Sequence, residues 1–259
     1  MARHYKDIQL VVANRVARII FARPPLNVFT IAMMKEVADA VEEIGRMNDV
    51  CAIVFSATQD SKAFSAGVSI EEHRSETAYQ MLESFHEVFH ALNRTSKPVM
   101  ALVVGGALGG GCELVAFADI VIATQTARFG QPEIKLGVFP PAACVMLPRV
   151  IGEKRARELI LTGELFSAEA ARALGLVNYV VAENELENKA EQILNHLRQL
   201  STPALETARR AINETSGLPF DIAIKHAEDI YLNDLMSYRD PAEGIEAFIA
   251  KRPANWKHK

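Results

Sequence analysis

Cysteine is scarce in this chain: 259 residues contain three, Cys51, Cys112 and Cys144. An odd count at irregular spacing builds neither a disulfide framework nor a zinc knuckle. A basic surplus is missing too. Against 28 Lys and Arg stand 32 Asp and Glu, for a formal net charge of −4 and a pI near 6.0. With no basic cluster to neutralise phosphates, a nucleic-acid partner is not expected. No apolar run reaches the roughly 18 residues of a membrane-spanning helix. Residues 1–7 are polar and lead into a strand-like segment rather than a signal sequence. The expectation is a cytoplasmic protein without a membrane partner.

What is present is ordinary for a globular protein, with 49% apolar and 23% charged residues. A chain of this length buries a core without disulfide staples, as one large domain or a main domain with a smaller appendage. Residues 8–12 and 16–21 are β-rich runs around Asn14-Arg15, which predicts a hairpin. Arg23-Pro24-Pro25 stops the second strand, because proline cannot donate to a ladder. Thr30 is placed to cap a helix over 31–46, followed by a short apolar strand at 51–56. A second long helix fits 77–92, and 98–104 reads as a buried strand. Beyond a glycine run come a helix at 112–118 and a strand at 119–123. This alternation argues an α/β chain with crossover connections. From about residue 202 the pattern turns all-helical, with Pro241 at the start of a last helix. The change places a boundary near residue 200.

The run Gly105-Gly106-Ala107-Leu108-Gly109-Gly110-Gly111 needs a reason, since glycine costs entropy and is kept where the backbone bends unusually or approaches something closely. The helix start behind it offers free N–H donors and a positive dipole end, which suit a phosphate, a carboxylate or a developing oxyanion. Ala107 and Leu114 break the dinucleotide-binding glycine pattern, and no Walker lysine follows. A tight turn with close helix–strand packing fits the spacing equally well.

A second motif is His86-Glu87-Val88-Phe89-His90, which matches the H-E-x-x-H of zinc peptidases. Asn93 and Ser96 occupy positions where the longer zinc-protease pattern has glycine or histidine. The plain reading is two histidines on a partly exposed helix face.

Three stretches together resemble the crotonase superfamily, the enoyl-CoA hydratase/isomerase family: Ala63-Phe64-Ser65-Ala66-Gly67-Val68, Ala107-Leu108-Gly109-Gly110-Gly111-Cys112-Glu113-Leu114 and Phe129-Gly130-Gln131-Pro132-Glu133-Ile134. Leu161-Thr162-Gly163 with the segment 168–181, and Glu243-Gly244 with 248–253, are similar to later parts of the family pattern. The likeness runs in order over nearly the whole chain. It implies an α/β spiral of ββα turns over residues 1–200 with the acyl-CoA site, and a helical region over 201–259 that mediates trimers, often paired into hexamers.

The resemblance also assigns roles. The amides of Val68 and Gly110 would form an oxyanion hole for a thioester, and Glu113 and Glu133 would flank the substrate as acid and base. Nearby like charge and burial are expected to raise at least one of their pKa values. Retention of both carboxylates favours a hydratase over an isomerase, dehalogenase or thioesterase. No metal and no cofactor are implied, coenzyme A being part of the substrate. For CoA the matching positions are Ala66, Ser69, Ile70 and Glu71, with Arg23 and Lys251 set to meet phosphates.

One stretch departs from the ordinary hydratases. Where they carry a glycine-rich turn, this chain has bulkier residues and Pro140-Pro141 over the segment 137–149. With 25–34 and 65–73, that stretch resembles a subgroup that hydrates cyclohexa-1,5-diene-1-carbonyl-CoA to 6-hydroxycyclohex-1-ene-1-carbonyl-CoA in anaerobic benzoyl-CoA degradation. Val28, Phe139, Ala142 and Val145 are then the expected ring contacts. The competing readings are a straight-chain 2-enoyl-CoA hydratase, a double-bond isomerase, and a non-catalytic scaffold binding acyl-CoA or RNA.

Overall fold

Asn14 and Arg15 take positive φ values of 48° and 63°, the pair of left-handed residues that closes a two-residue hairpin with the correct twist. They join β1 (Ile8–Ala13) to β2 (Val16–Phe21) in antiparallel register, Ala13 opposite Val16 and Ile8 opposite Phe21. This is the start of a computed structural model that describes residues 5–258; residues 1–4 of the polar N-terminal run, and residue 259, lie outside the described residues. Helix α1 (Ile31–Gly45) follows, its first turn capped by Thr30 Oγ1, which accepts from Met33 N–H.

The chain then repeats one unit three times. Two short strands are followed by a helix: β3 (Ala52–Ala57), β4 (Ala63–Ser65) and α2 (Ala78–Thr95); β5 (Val99–Val103), β6 (Gly106–Leu108) and α3 (Gly110–Phe117); β7 (Ile120–Thr124), β8 (Arg128–Gly130) and α4 (Pro141–Ile151). The first strand of each unit joins one sheet and the second joins another. After α5 (Glu153–Thr162), β9 (Phe166–Ser167), α6 (Ala168–Leu174) and β10 (Tyr179–Val181) add a last strand to each. The result is a six-stranded sheet in the order β1-β2-β3-β5-β7-β10 and a four-stranded sheet β4-β6-β8-β9. Four helices complete the chain: α7 (Leu186–Arg198), α8 (Thr202–Thr215), α9 (Phe220–Asp229) and α10 (Asp240–Ile249). No helix among the described residues is long and apolar enough to cross a membrane.

The central strands of the larger sheet, β3, β5 and β7, are covered on both faces, which is why they read as unbroken apolar runs, whereas β1 at the edge is mostly exposed. In β5, Val99, Ala101 and Val103 face the main core, whereas Met100 and Leu102 pack with Leu186, Ala190 and Leu194 of α7. The main core centres on Phe21, whose ring lies 5.1 Å from Phe29, 5.8 Å from Phe55 and 5.1 Å from Phe64. These rings fill the space between the two sheets and helices α1 and α2.

The glycine run differs from the sequence expectation. Gly106–Leu108 is a strand, not part of a turn, and α3 begins at Gly110 rather than at residue 112. Parallel neighbours on both sides, β4 and β8, supply the pairing that local propensity does not.

Helix α8 is held to the core by two ion pairs. Lys97, 2% exposed, reaches Glu206 at 2.7 Å and the Val50 carbonyl at 3.0 Å; Arg209 reaches Asp119 at 2.6 Å. Glu206→Ala, which leaves the buried Lys97 ammonium without a counter-charge, is expected to destabilise the protein by about 3 kcal/mol. Lys97→Met, which removes the charge along with its partner's need for it, should cost clearly less. Urea unfolding of the two variants measures the difference.

Candidate active site

Strands β4, β6 and β8 lie side by side and parallel, so their C-terminal ends open at one edge of the smaller sheet. Such an edge is where open α/β structures place ligands. The chain leaving β4 carries Gly67-Val68, the chain leaving β6 carries Gly109-Gly110, and the chain leaving β8 carries Gln131-Pro132-Glu133. Residues far apart in sequence meet here because their strands end together.

The approach is close enough to exclude side chains. Gly67 has φ +93°, and a Cβ on it would stand 2.8 Å from Leu108 O and 3.3 Å from Gly110 N. Gly109 has φ +50°, and a Cβ there would meet Glu133 Oε1 at 2.3 Å. Both positions need glycine for conformation and for room. A Cβ on Gly110 would lie 3.0 Å from the Val68 side chain, so the two expected oxyanion-hole segments pack against each other. Among the described residues, neither the Val68 nor the Gly110 N–H donates to another protein group. Gly110 is also the first residue of α3, where N–H groups lack intrahelical partners and the dipole is positive.

A latch outside these strands supports the Val68 loop. Asn27 is fully buried; its side chain donates to Ser61 Oγ and Ala63 O, and its carbonyl accepts from Ser65 Oγ. Ser65 Oγ in turn accepts from Gly67 N–H at 3.1 Å. Sequence reasoning noted Asn27 only as part of a subgroup pattern and missed this role.

Glu113 lies one turn into α3, and side chains on a helix tilt toward its N-terminus, which aims this carboxyl back at the amide end. It is 3% exposed. Helix α4 begins at Pro141 behind Pro140 at the N-cap position, and neither brings a capping side chain. Its free amides are met instead by Glu113: Ala143 N–H donates to Glu113 Oε1 at 2.7 Å, and Ala142 N–H also faces the carboxyl. Glu133 sits on the 3-10 turn Pro132–Leu136, with Oε2 buried and without a protein partner. Burial pushes the Glu113 carboxyl up to about 8, the Ala143 and Ala142 amides offset part of this, and the Glu133 charge adds to it. Burial pushes Glu133 up to about 7.

Both carboxyls line one pocket of about 300 Å³, together with Val68, a size at the low end of small-molecule sites. Of the four expected ring contacts, Phe139 alone lines it. Val28 does not; its carbonyl accepts from Arg23 at 2.8 Å. Ala142 contributes an amide to Glu113 rather than a side chain to the pocket. Val145, 56% exposed, lines a different cavity of about 560 Å³ with Phe89 and Arg149. Two helical steps separate it from Ala143, which turns it to the opposite side of α4. The wall that sequence reasoning missed comes from α2, where Ala78, Met81, Leu82 and Phe85 face the pocket, with His73 beside them. Their i, i+3, i+4, i+7 spacing is that of any core-facing stripe.

Among the positions expected to hold CoA, Ile70 and Glu71 are exposed beside the Val68 loop. The amides of Ala66 and Ser69 are engaged by Leu26 O and Phe29 O. Arg23, half exposed, lies 4.0 Å from Asp7, and Lys251 is exposed beyond the end of α10; neither lines the pocket. In the H-E-x-x-H motif, Glu87 pairs with Arg94 at 2.6 Å and His90 is exposed. No group of three or more His, Cys, Asp or Glu among the described residues is placed to hold a metal ion.

Comparison with known proteins identifies the family. The family model for enoyl-CoA hydratase/isomerase matches residues 12–259. A probable enoyl-CoA hydratase of Rhizobium meliloti is 35% identical over 98% of this chain and 99% of its own. The cyclohexa-1,5-dienecarbonyl-CoA hydratase of Thauera aromatica is 33% identical over 93% of both chains. A crystal structure of an enoyl-CoA hydratase subunit from Geobacillus kaustophilus superposes with a TM-score of 0.90 at 32% identity, covering 98% of this chain and 99% of that one. The chain belongs to the enoyl-CoA hydratase/isomerase family, with its α/β crotonase fold, and is an enzyme of the carbon–oxygen hydro-lyase type.

Proposed function

We propose that the substrate is a cyclic dienoyl-CoA, cyclohexa-1,5-diene-1-carbonyl-CoA, hydrated by Glu113 and Glu133 while the thioester oxygen rests between the Val68 and Gly110 amides. The observation that carries the reading is the meeting of two buried carboxyls and Val68 in one largely apolar pocket, with Gly110 packed against the Val68 side chain and both residues' amides uncommitted. When water adds to a carbon–carbon double bond conjugated with a thioester, negative charge moves onto the thioester oxygen. Two fixed N–H donors stabilise that enolate, and each is worth about 3–4 kcal/mol in such sites. One carboxylate takes a proton from the water, and the other carboxyl gives a proton to the acyl carbon.

The cyclic substrate is supported by the bulky segment Val138-Phe139-Pro140-Pro141 beside the carboxyls and by the Thauera aromatica relative. A straight-chain enoyl-CoA is the second reading, favoured by the short-chain-enoyl-CoA hydratase of Clostridium acetobutylicum, 34% identical over 92% of this chain. Turnover of the cyclic dienoyl-CoA and crotonyl-CoA, followed by mass spectrometry, separates the two. A cyclic ester turned over no faster than crotonyl-CoA ends the first. Assembly as a trimer or hexamer is part of the same proposal, supported by Phe220, Phe248 and Ile249, which stand exposed on the C-terminal helices; ultracentrifugation reads it.

Glu113→Gln and Glu133→Gln are each expected to lower kcat by about 10²- to 10⁴-fold with the fold retained by circular dichroism. Near-normal rates in both variants would end the mechanism. The pH profile has a definite sign. Below about 7 both carboxyls are protonated and no base is present; above about 8 both are ionised and no acid is present. The plot of kcat/KM against pH is therefore a bell, with limbs belonging to the coupled pair and its top between those values. Gly109→Ala, which drives a methyl group into Glu133 Oε1, should lower kcat/KM by about a hundredfold. A steady-state assay on the preferred ester measures it.

A further inference from the structure

The pocket that holds Glu113 and Glu133 is otherwise walled by apolar groups, with one exception that the chemistry above does not use, His73. It closes the 3-10 turn Ile70–His73, just after the Val68 loop. Its Nδ1 lies 2.8 Å from the Ser69 carbonyl oxygen, so Nδ1 carries a proton and donates it there. This bond fixes the ring and leaves Nε2 as the atom free to meet a ligand. Covering a ring nitrogen with an apolar acyl group would strip its water and put nothing in exchange. A hydroxyl group answers the need in either ring state, since it donates to neutral Nε2 and accepts from the protonated form. Both carboxyls come from α3 and the turn after β8, whereas His73 comes from the segment that leads into α2, so its contact is assigned to a part of the acyl group other than the one the water adds to.

We propose that His73 is a specificity-determining residue whose Nε2 hydrogen-bonds a hydroxyl carried by the acyl group away from the thioester, so that hydroxylated enoyl-CoA esters are preferred to their plain counterparts. The inference rests on the acyl-CoA hydratase reading and adds a chemical class to it: the plain cyclic ester named above is then the slower member of a pair whose ring-hydroxylated counterpart is turned over faster. A site built around a substrate hydroxyl rejects the analogue that lacks it, because its own polar group is then left unpaired.

The test uses two pairs of esters, hex-2-enoyl-CoA with 6-hydroxyhex-2-enoyl-CoA, and cyclohex-1-ene-1-carbonyl-CoA with its 4-hydroxy derivative. The readout is the ratio of kcat/KM, hydroxylated over plain, within each pair. In the wild type at least one ratio is expected to favour the hydroxylated ester by about tenfold. His73→Asn keeps a donor where Nδ1 meets Ser69 O but lacks the atom that reaches the pocket, and should bring that ratio to about one. His73→Gln, whose amide nitrogen reaches to the position of Nε2, should restore part of it. A wild type without the preference, or a ratio unchanged in His73→Asn, overturns the inference. Equal loss on both members of each pair also overturns it, because that places Nε2 on the CoA moiety or in the fold. If the wild type turns over no ester, the hydratase reading fails instead, and the same ratios taken as Kd by calorimetry decide the role of His73.

Discussion

Everything at the site depends on three short parallel strands ending side by side. Each of β4, β6 and β8 has three residues, yet their shared register delivers the Val68 amide, the Gly110 amide and the Glu133 carboxyl to one edge. Such short strands have little stability of their own. They persist because each continues from a strand of the larger sheet across a tight corner, and because those strands, β3, β5 and β7, are buried on both faces. Rigidity at the amides is thus borrowed from packing in the larger sheet, which is what the oxyanion site proposed for them needs in order not to reorganise as charge develops.

The second constraint is electrostatic. Two carboxyls in an apolar pocket are expensive to ionise, and the fold answers this unequally. Glu113 receives the amides at the start of α4, a helix whose N-cap and first residue are prolines and bring no capping side chain. The same contact therefore completes a helix and orients a carboxyl. Glu133 has one oxygen, Oε2, with no protein partner, while the other, Oε1, lies against Gly109, where a Cβ would leave it no room. A buried, unpaired oxygen is costly in an unliganded protein and useful once water or substrate occupies the pocket. In the proposed mechanism the pair, rather than either residue alone, is the unit that holds and moves protons near neutral pH.

Helix α2 illustrates how a core and a binding site share one element. Met81 and Phe85 are almost fully buried, and both still form pocket wall. Phe85 also lies 6.1 Å from Phe29, whose ring touches the Phe21 centre of the core. The shape of the pocket is consequently coupled to core packing, because a change of volume on α2 is felt on both sides.

The sequence by itself determined the strand–helix alternation, since apolar runs and helical stripes follow directly from which faces are buried. It also marked the glycine run, Glu113 and Glu133 through motif likeness, and Asn14-Arg15 as a hairpin. Tertiary structure alone decided that Gly106–Leu108 is a strand, because its pairing partners lie in other parts of the chain. It decided that Val145 faces a separate cavity and that Ala142 serves through its amide, since which side of α4 meets Glu113 depends on how that helix docks. And it decided that His73 and the α2 stripe border the carboxyls: an apolar residue at helical spacing looks the same in sequence whether it faces a solid core or a pocket.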